Sequence, residues 1–218
     1  MPKYTCAIFD LDGTVLDTLD DLTCAVNHAM EAMHRPTHTR EAVRAMVGNG
    51  VRVLIAKAMG EGALAEDVDA ALAVFRKYYA ENIDVYTREY EGVTAMLQRL
   101  RAAGMTLCVC SNKYDAAVQE LIATHFPGLF DVVVGEGGNI PRKPDPAGTM
   151  YVINKAGADA STTCFIGDSY NDFAAARNAG LDAILVSWGF APRAELATYS
   201  PAVLCDTMAR LESAILAE

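Results

Sequence analysis

The sequence has little of what several common protein classes require. It has 18 Lys and Arg residues against 28 Asp and Glu, which gives a formal net charge of −10. Nucleic-acid grooves and anionic membrane surfaces bind clusters of Lys and Arg. We therefore expect neither nucleic acid nor a membrane to be the main partner.

Long apolar runs are also missing. A membrane-spanning helix needs roughly 18–20 consecutive apolar residues, and no run in the sequence approaches that length. The apolar run that precedes Asp10 is too short for the core of a secretory signal peptide. These absences lead us to expect a soluble protein of the cytoplasm.

Cysteine is present, but no two cysteines form a CxxC pair. The six cysteines lie in apolar contexts, and Cys108 and Cys110 fall in the apolar run Met105–Cys110. Such a setting is typical of reduced core thiols in a cytosolic protein, and it disfavours disulfides or zinc.

What the sequence does contain is a pattern of strands and helices that predicts an α/β fold. Hydrophobic residues make up 52% of the 218 residues, enough for a sizeable core. The apolar run Tyr4–Phe9 predicts a first strand. Later strands are predicted over Met105–Cys110, Val132–Val134, Thr163–Ile166 and Ala183–Val186, with helices between them. This alternation indicates a doubly wound parallel sheet with helices on both faces.

The pattern is interrupted after the first strand. From residue 15 to about 88 the sequence shows helical spacing and almost no strand-like stretch. The Gly48-Asn49-Gly50 segment predicts a turn between two of these helices. We interpret residues 15–88 as an inserted all-helical domain and residues 1–14 with 89–218 as the α/β core.

Polar side chains follow the predicted strands of the core. In a doubly wound sheet, ligands bind at the carboxyl ends of the strands. Four segments come after successive strands, namely Asp10-Leu11-Asp12-Gly13-Thr14, Ser111-Asn112-Lys113, Arg142-Lys143-Pro144-Asp145-Pro146 and Gly167-Asp168-Ser169-Tyr170-Asn171-Asp172. Carboxylates, a hydroxyl and a lysine are therefore expected at one edge of the sheet.

These side chains suit phosphoryl transfer. A phosphate monoester is a dianion that repels an approaching carboxylate, and a hard dication such as Mg²⁺ removes the repulsion. Asp10 and Asp168 can supply oxygen ligands, while Lys143 and Ser111 can bind the phosphoryl oxygens. Two aspartates at one strand end can divide the chemistry, with Asp10 as nucleophile and Asp12 as general acid and base.

The four segments together resemble the ordered motifs of the haloacid dehalogenase-like hydrolase superfamily. The matching residues are Asp10-x-Asp12-Gly13-Thr14, Ser111-Asn112, Lys143-Pro144 and Gly167-Asp168-x-x-x-Asp172. The resemblance covers nearly the whole chain and places the helical insert where that family has its cap. It implies a Rossmann-like core, Mg²⁺ as cofactor and an aspartyl-phosphate intermediate.

The resemblance also implies a role for each residue. It makes Asp10 the nucleophile and Asp12 the acid–base residue. Further implied roles are metal ligation by Asp10, Asp168 and the backbone carbonyl of Asp12, support from Asp172, and substrate binding by Ser111, Asn112, Lys143 and the cap residue Asn49. The dehalogenases themselves lack the second acidic residue of the first motif.

Within the superfamily the chain is most similar to the phosphoglycolate phosphatases. The similar segments are Val47–Val51, Ser111–Lys113, Lys143–Pro146 and Gly167–Gly180. The implied reaction is hydrolysis of a small phosphorylated metabolite, with 2-phosphoglycolate favoured, by a monomer or homodimer.

Three alternatives remain open on the same residues. A phosphomutase of the β-phosphoglucomutase type would use the same aspartates, and a pyrophosphatase or nucleotidase would differ only in substrate. A non-catalytic binding module is disfavoured, because all four motif positions carry competent side chains. Lys113, Arg142 and Arg177 are expected to be solvated charges.

Overall fold

The structure of the protein is a computed structural model that describes residues 3–138 and 140–217 of the 218. The chain divides into two compact units. One consists of Met1–Leu16 and Glu89–Glu218, and the other consists of Asp17–Arg88. We call them the α/β unit and the helical unit. The two-residue strands β2 (Leu16–Asp17) and β3 (Arg88–Glu89) lie where the chain passes from one unit to the other.

The α/β unit is built on a parallel sheet. Six strands of the described residues form it: β1 (Cys6–Phe9), β4 (Thr106–Tyr114), β5 (Val132–Glu136), β6 (Thr163–Gly167), β7 (Asp182–Val186) and β8 (Val203–Cys205). Their order is β5-β4-β1-β6-β7-β8, and every neighbouring pair is parallel. In register, Phe9 pairs with Val109 on one side and Ile166 on the other. The segments that follow β1 and β6 therefore begin near one level of the sheet, and β4 continues beyond that level to Tyr114.

Helices alternate with these strands along the chain. They are α5 (Val93–Ala102), α6 (Asp115–His125), α7 (Ala147–Ala156), α8 (Tyr170–Asn178), α9 (Arg193–Thr198) and α10 (Met208–Ile215). Every residue of β1 is buried, as expected for a central strand covered on both faces. Phe9 and Phe165 are among the largest fully buried side chains.

The helical unit contains four helices within residues 17–88. They are α1 (Leu19–Ala32), α2 (Arg40–Met46), α3 (Val51–Met59) and α4 (Ala65–Glu81). The buried residues of α1 include Leu22, Val26 and Met30, which recur at the four-residue spacing of one helix face. This apolar face packs against α4.

A buried carboxylate connects the two ends of the helical unit. Asp21 on α1 is 2% exposed, and it accepts hydrogen bonds from three donors of the segment that leaves the unit. Its oxygens lie 2.9 Å from Tyr86 N, 2.8 Å from Thr87 N and 2.8 Å from Thr87 Oγ1. Hydrogen bonds to a charged group are among the stronger ones, so this contact fixes the return segment to α1.

The predicted fold class, a parallel α/β sheet with an all-helical insertion, is confirmed. The strand predicted over Met105–Cys110 is longer, because β4 continues through Ser111, Asn112 and Lys113 to Tyr114. The elements β8, α9 and α10 have no counterpart in the sequence prediction. No helix of the described residues is both long enough and apolar enough to span a bilayer.

We predict that Asp21→Ala lowers the free energy of unfolding by about 2–4 kcal/mol, because it leaves buried donors of residues 86 and 87 unsatisfied. The matched variant is Asp20→Ala, which removes an exposed carboxylate that accepts from Arg40. That variant should cost about 1 kcal/mol or less. Urea unfolding of the two variants measures the difference, and equal losses would contradict the assigned role of Asp21.

Candidate active site

The loop after β1 carries the first two site residues. β1 ends at Phe9, and Asp10 follows with 8% exposure. Gly13 has a φ of +82°, a conformation that glycine adopts readily. A Cβ atom there would lie 2.3 Å from Asp168 Oδ2. Glycine is therefore required both for the turn and for the close approach to Asp168.

Three carboxylates converge at this edge of the sheet. Asp10, Asp168 and Asp172 each place one oxygen within 4.8 Å of the others. Asp168 follows β6 and is 2% exposed, while Asp172 lies in the first turn of α8 and is 1% exposed. The structure thus brings Asp10 together with two acids that lie far from it in the sequence.

Lys143 lies among these acids. Its Nζ atom is 2.8 Å from Asp10 Oδ1 and 2.7 Å from Asp172 Oδ1, and its side chain is 3% exposed. Asp10 Oδ1 is buried and accepts no hydrogen bond of normal geometry from the described residues, although the ammonium group is close to it. One lysine therefore faces three buried carboxylates.

Burial and the crowding of charged groups shift the pKa values of the cluster. Burial, followed by the charge of Asp172, raises the pKa of Asp10 to about 7. Burial and the charges of Asp172 and Asp10 raise the pKa of Asp168 well above its usual range. Burial opposes the charged form of Lys143, but the neighbouring Asp10 and Asp172 outweigh it and raise the lysine pKa.

The helix α8 begins with a capping box that orients Asp172. Ser169 is the N-cap residue, and its Oγ accepts a hydrogen bond from the backbone of Asp172. Asp172 Oδ2 in turn accepts from Ser169 N at 3.0 Å and from Asp168 N at 3.2 Å. The other oxygen remains directed at Lys143, so Asp172 joins the helix start to the charge cluster.

Asp168 is held by two further segments of the α/β unit. Its Oδ2 accepts a hydrogen bond from Phe190 N at 2.6 Å, and its Oδ1 accepts from Thr14 Oγ1 at 3.3 Å. Trp188 Nε1 donates to the carbonyl oxygen of Thr14 at 3.2 Å. A Cβ atom at Gly189 would lie 2.3 Å from Asp168 Oδ2, so the segment after β7 passes directly over this carboxylate.

The remaining residues predicted to bind substrate lie in two places. Ser111 is 6% exposed and lies on β4. Asn112 exchanges hydrogen bonds with the backbone of Lys143, donating to its carbonyl at 3.1 Å and accepting from its N–H at 2.8 Å. This exchange positions Lys143 beside β4. Asn49 is exposed in the α2–α3 loop of the helical unit, and its substrate contact remains a prediction.

The structure contradicts the prediction that Lys113 is a solvated charge. The side chain is 5% exposed and its Nζ lies 2.8 Å from Asp12 Oδ1. Ser111 and Lys113 are two residues apart on β4 and both are buried, while Asn112 between them is more exposed. The two-residue period of a strand is the signal that would have placed Lys113 beside Ser111.

Sequence reasoning also missed the supporting groups around Asp168. Thr14, Gly189 and Phe190 contact Asp168 through a hydroxyl, a close backbone approach and an N–H group. Contacts of this kind form where loops from different parts of the chain approach one another, and residue type alone does not predict them.

The donor set fits a hard divalent cation. Carboxylate oxygens are the ligands that such cations prefer. Asp10, Asp168 and Asp172 supply three of them within 4.8 Å, and among the described residues Asp10 Oδ1 receives no hydrogen bond of normal geometry, although Lys143 Nζ lies 2.8 Å from it. A cation here would offset the burial and the repulsion that together raise the pKa values of Asp10 and Asp168. The site is thus able to hold a metal, and Asp12 keeps its carboxylate on Lys113.

Comparison with known proteins agrees with this arrangement. The family model described as haloacid dehalogenase-like hydrolase matches residues 7–186. The chain belongs to the haloacid dehalogenase-like hydrolase family, which confirms the resemblance of the four motifs. It is an enzyme of the phosphoric monoester hydrolase class within that family.

Individual relatives cover nearly the whole chain. The phosphoglycolate phosphatase of Pseudomonas syringae pv. tomato is 36% identical over 217 residues, which are 97% of this chain and 79% of that protein. The phosphoglycolate phosphatase of Agrobacterium fabrum is 35% identical over 98% of this chain and 93% of its own. The crystal structure of a candidate phosphoglycolate phosphatase from Lactobacillus delbrueckii subsp. bulgaricus has a TM-score of 0.95 at 36% identity, covering 99% of this chain and all of that one.

We predict that the stability of the metal-free protein falls as the pH rises from about 5 to 7.5. The native pKa of Asp10 is about 7, above its ordinary value of 3.8. The native state therefore binds more protons than the unfolded state in this window, and it loses stability as they leave. Thermal melts in EDTA should show this fall, and Mg²⁺ should raise the melting temperature more at pH 7.5 than at pH 5.

The variant Asp10→Asn removes the titrating group, so its melting temperature in EDTA should depend less on pH. The control is Glu120→Gln, which changes an exposed carboxylate on α6. It should keep the pH dependence of the unsubstituted protein. A metal-free melting temperature that rises between pH 5 and 7.5 would contradict the arrangement of charges.

We predict that Gly189→Ala lowers Mg²⁺ affinity by roughly tenfold or more, because the added Cβ displaces the carboxylate of Asp168. The matched variant is Gly137→Ala, where the nearest non-neighbouring atom would be Asp115 Cβ at 3.9 Å, an ordinary contact. Calorimetric titration with Mg²⁺ measures both. Unchanged affinity in Gly189→Ala would contradict the tight packing of residue 189 against Asp168 and the carbonyl oxygen of Gly13 as a support of the metal site.

Proposed function

We propose that the chain is a Mg²⁺-dependent phosphatase that hydrolyses a small phosphate monoester through a phosphorylated Asp10, and that its favoured substrate is 2-phosphoglycolate. The observation that carries the proposal is the cluster of Asp10, Asp168 and Asp172 around Lys143 at the ends of parallel strands. Buried acids in this number can hold a divalent cation. The cation would offset the repulsion between a dianionic ester and the carboxylate that attacks it.

The phosphoryl group would lie between the loop after β1 and the end of β4. Lys143 offers a fixed positive charge next to the proposed nucleophile, 2.8 Å from Asp10. Ser111 offers a hydroxyl, and Asn112 holds Lys143 through two hydrogen bonds to its backbone. These groups stabilise charge on the phosphoryl oxygens without having to move during the reaction.

The reaction takes place in two steps that share the same acid–base residue. In the first, a carboxylate oxygen of Asp10 forms a bond to phosphorus, the bond from phosphorus to the ester oxygen breaks, and Asp12 gives a proton to the leaving oxygen. In the second, water attacks the phosphorus of the aspartyl phosphate, Asp12 takes the water proton, and the acyl phosphate P–O bond breaks. Phosphate leaves and Asp10 is restored.

The proposed ligands of Mg²⁺ are Asp10, Asp168 and the backbone carbonyl of Asp12, with Asp172 supporting. When bound, the ion supplies charge neutralisation between the nucleophile and the phosphoryl group. The chain supports this set by fixing Asp168 with Phe190 N and Thr14 Oγ1 and by fixing Asp172 with the cap of α8.

The proposed substrate rests on the relatives. Curated proteins 32–36% identical to this chain are named phosphoglycolate phosphatase. In the same proposal the helical unit is a cap that closes over the substrate and excludes water, with Asn49 contributing from its exposed loop. The proposed place of action is the cytoplasm, which is compatible with six cysteines that form no disulfide.

We predict that the protein releases inorganic phosphate from 2-phosphoglycolate with Mg²⁺ present, and that EDTA abolishes the release. Asp10→Asn should lower kcat by roughly a thousandfold or more, because the nucleophile is lost. Asp12→Asn should lower kcat by on the order of 10²–10⁴-fold, because the leaving oxygen receives no proton. Phosphate release over a panel of phosphorylated metabolites measures these effects and ranks the substrates.

The surface variant Glu120→Gln serves as control and should keep the activity of the unsubstituted protein. Hydrolysis that survives EDTA, or that survives Asp10→Asn, would contradict the mechanism. Transfer of the phosphoryl group back to the substrate, with little free phosphate, would show a phosphomutase instead. A higher kcat/KM for pyrophosphate or a nucleotide would move the substrate assignment to those classes.

A further inference from the structure

A second buried lysine lies in the site, on the side of the proposed acid. Lys113 is 5% exposed at its side chain, and Nζ is 2.8 Å from Asp12 Oδ1. Its backbone N–H donates to Ser111 Oγ at 3.2 Å. Lys113 is thus held at its backbone by strand β4 and at its ammonium group by the ion pair with Asp12.

The two lysines serve different aspartates. Lys143 contacts Asp10 and Asp172, on the side of the nucleophile and the metal ligands. Lys113 contacts Asp12, the residue that the proposed function assigns to the leaving oxygen. Positive charge is therefore present separately on the phosphoryl side and on the leaving-group side of the site.

The charge of Lys113 matters most to a leaving group that is itself an anion. Without it, the carboxylate of Asp12 would stand uncompensated in a largely buried position and would repel a second carboxylate brought by the substrate. With it, the charge of an ionised Asp12 is compensated, and when Asp12 carries the proton that it gives to the leaving oxygen, the ammonium is a net positive charge that attracts an anion placed beside Asp12. In 2-phosphoglycolate a single CH₂ group separates the ester oxygen from a carboxylate. If Asp12 reaches the ester oxygen, Lys113 therefore lies close to the substrate carboxylate.

We propose that Lys113 is a specificity-determining residue that selects phosphate monoesters whose leaving group carries a carboxylate next to the ester oxygen. This inference rests on the proposed function, and it names the side chain that distinguishes the substrate. It differs from a purely positioning role, in which Lys113 would only orient Asp12 and would affect charged and neutral substrates alike.

The test compares two substrates of the same shape. 2-Phosphoglycolate carries a carboxylate, and 2-phosphoglycolamide carries an uncharged amide in its place. The unsubstituted enzyme should have a kcat/KM for the carboxylate roughly tenfold or more above that for the amide. Lys113→Gln should reduce this ratio to about 3 or less, chiefly through KM for 2-phosphoglycolate, while Lys113→Arg, which keeps the charge, should retain most of it.

Two results would overturn the inference. The first is a ratio near 1 in the unsubstituted enzyme, which needs no variant and so does not depend on the folding of any. The second is an unchanged ratio in Lys113→Gln, and where that comes from an equal loss of activity on both substrates, Lys113 is a positioning residue for Asp12. If Lys113→Gln does not fold, as judged by circular dichroism and thermal melting, Lys113→Met is measured in its place.

Failure of the inference can be separated from failure of the proposed function. Mg²⁺-dependent release of phosphate from either substrate, abolished by Asp10→Asn, would uphold the proposed function whatever the ratio of the two. Absence of that release would reject the proposed function itself.

Discussion

The repulsion among three buried carboxylates is the constraint on which the rest of the site depends. Asp10, Asp168 and Asp172 bring oxygens within 4.8 Å of one another at positions that water barely reaches. Lys143 can compensate only part of that charge, and burial together with the charge of Asp172 raises the pKa of Asp10 to about 7. This arrangement costs folding free energy in the metal-free protein and is suited to binding a cation. In the proposed function, the bound cation would in turn allow the dianionic substrate to bind.

The parallel sheet forces this crowding, and the loops then hold it in place. Because β1 lies between β4 and β6, residues that are 158 apart in sequence, Asp10 and Asp168, follow neighbouring strands. Small residues at 13 and 189 let the backbone pass within van der Waals distance of Asp168. Asp172 is fixed by the capping box at the start of α8. The hydrogen bonds that stabilise the first turn of this helix therefore also orient the carboxylate of Asp172.

Because of Lys113, the site has positive charge in two separate places, which the carboxylate cluster and Lys143 alone do not provide. Lys143 is bound among the acids of the phosphoryl side, and Lys113 is paired with Asp12. If both proposals hold, the same division of positive charge serves the chemistry on one side and the choice of substrate on the other.

Much of the fold and part of the site could be predicted from the sequence, for identifiable reasons. Asp10 and Asp168 end apolar strands abruptly, and a carboxylate in that position has no place in a core. Short elements near the carboxyl end, such as β8, lack the length that makes a period visible. Lys113 was misjudged because charge suggests solvent, and only the ion pair with Asp12 shows otherwise.

The contacts of Asp168 with Thr14, Gly189 and Phe190 could not be predicted in principle from local pattern. They join three segments whose approach is decided by the packing of the whole α/β unit. The same holds for Asp21, whose partners at 86 and 87 lie 65 and 66 residues away. A buried carboxylate without a visible partner is the general signal that such a contact exists.

The most direct test of the central claim is a calorimetric titration of the metal-free protein with Mg²⁺ at pH 7, repeated in two buffers of different ionisation enthalpy. The account expects one ion per chain and a release of protons, because the cation displaces the proton that the raised pKa of Asp10 retains. It also expects Asp168→Asn to abolish the binding. Absence of binding, or binding that Asp168→Asn leaves unchanged, would contradict the claim that these buried acids form a cation site.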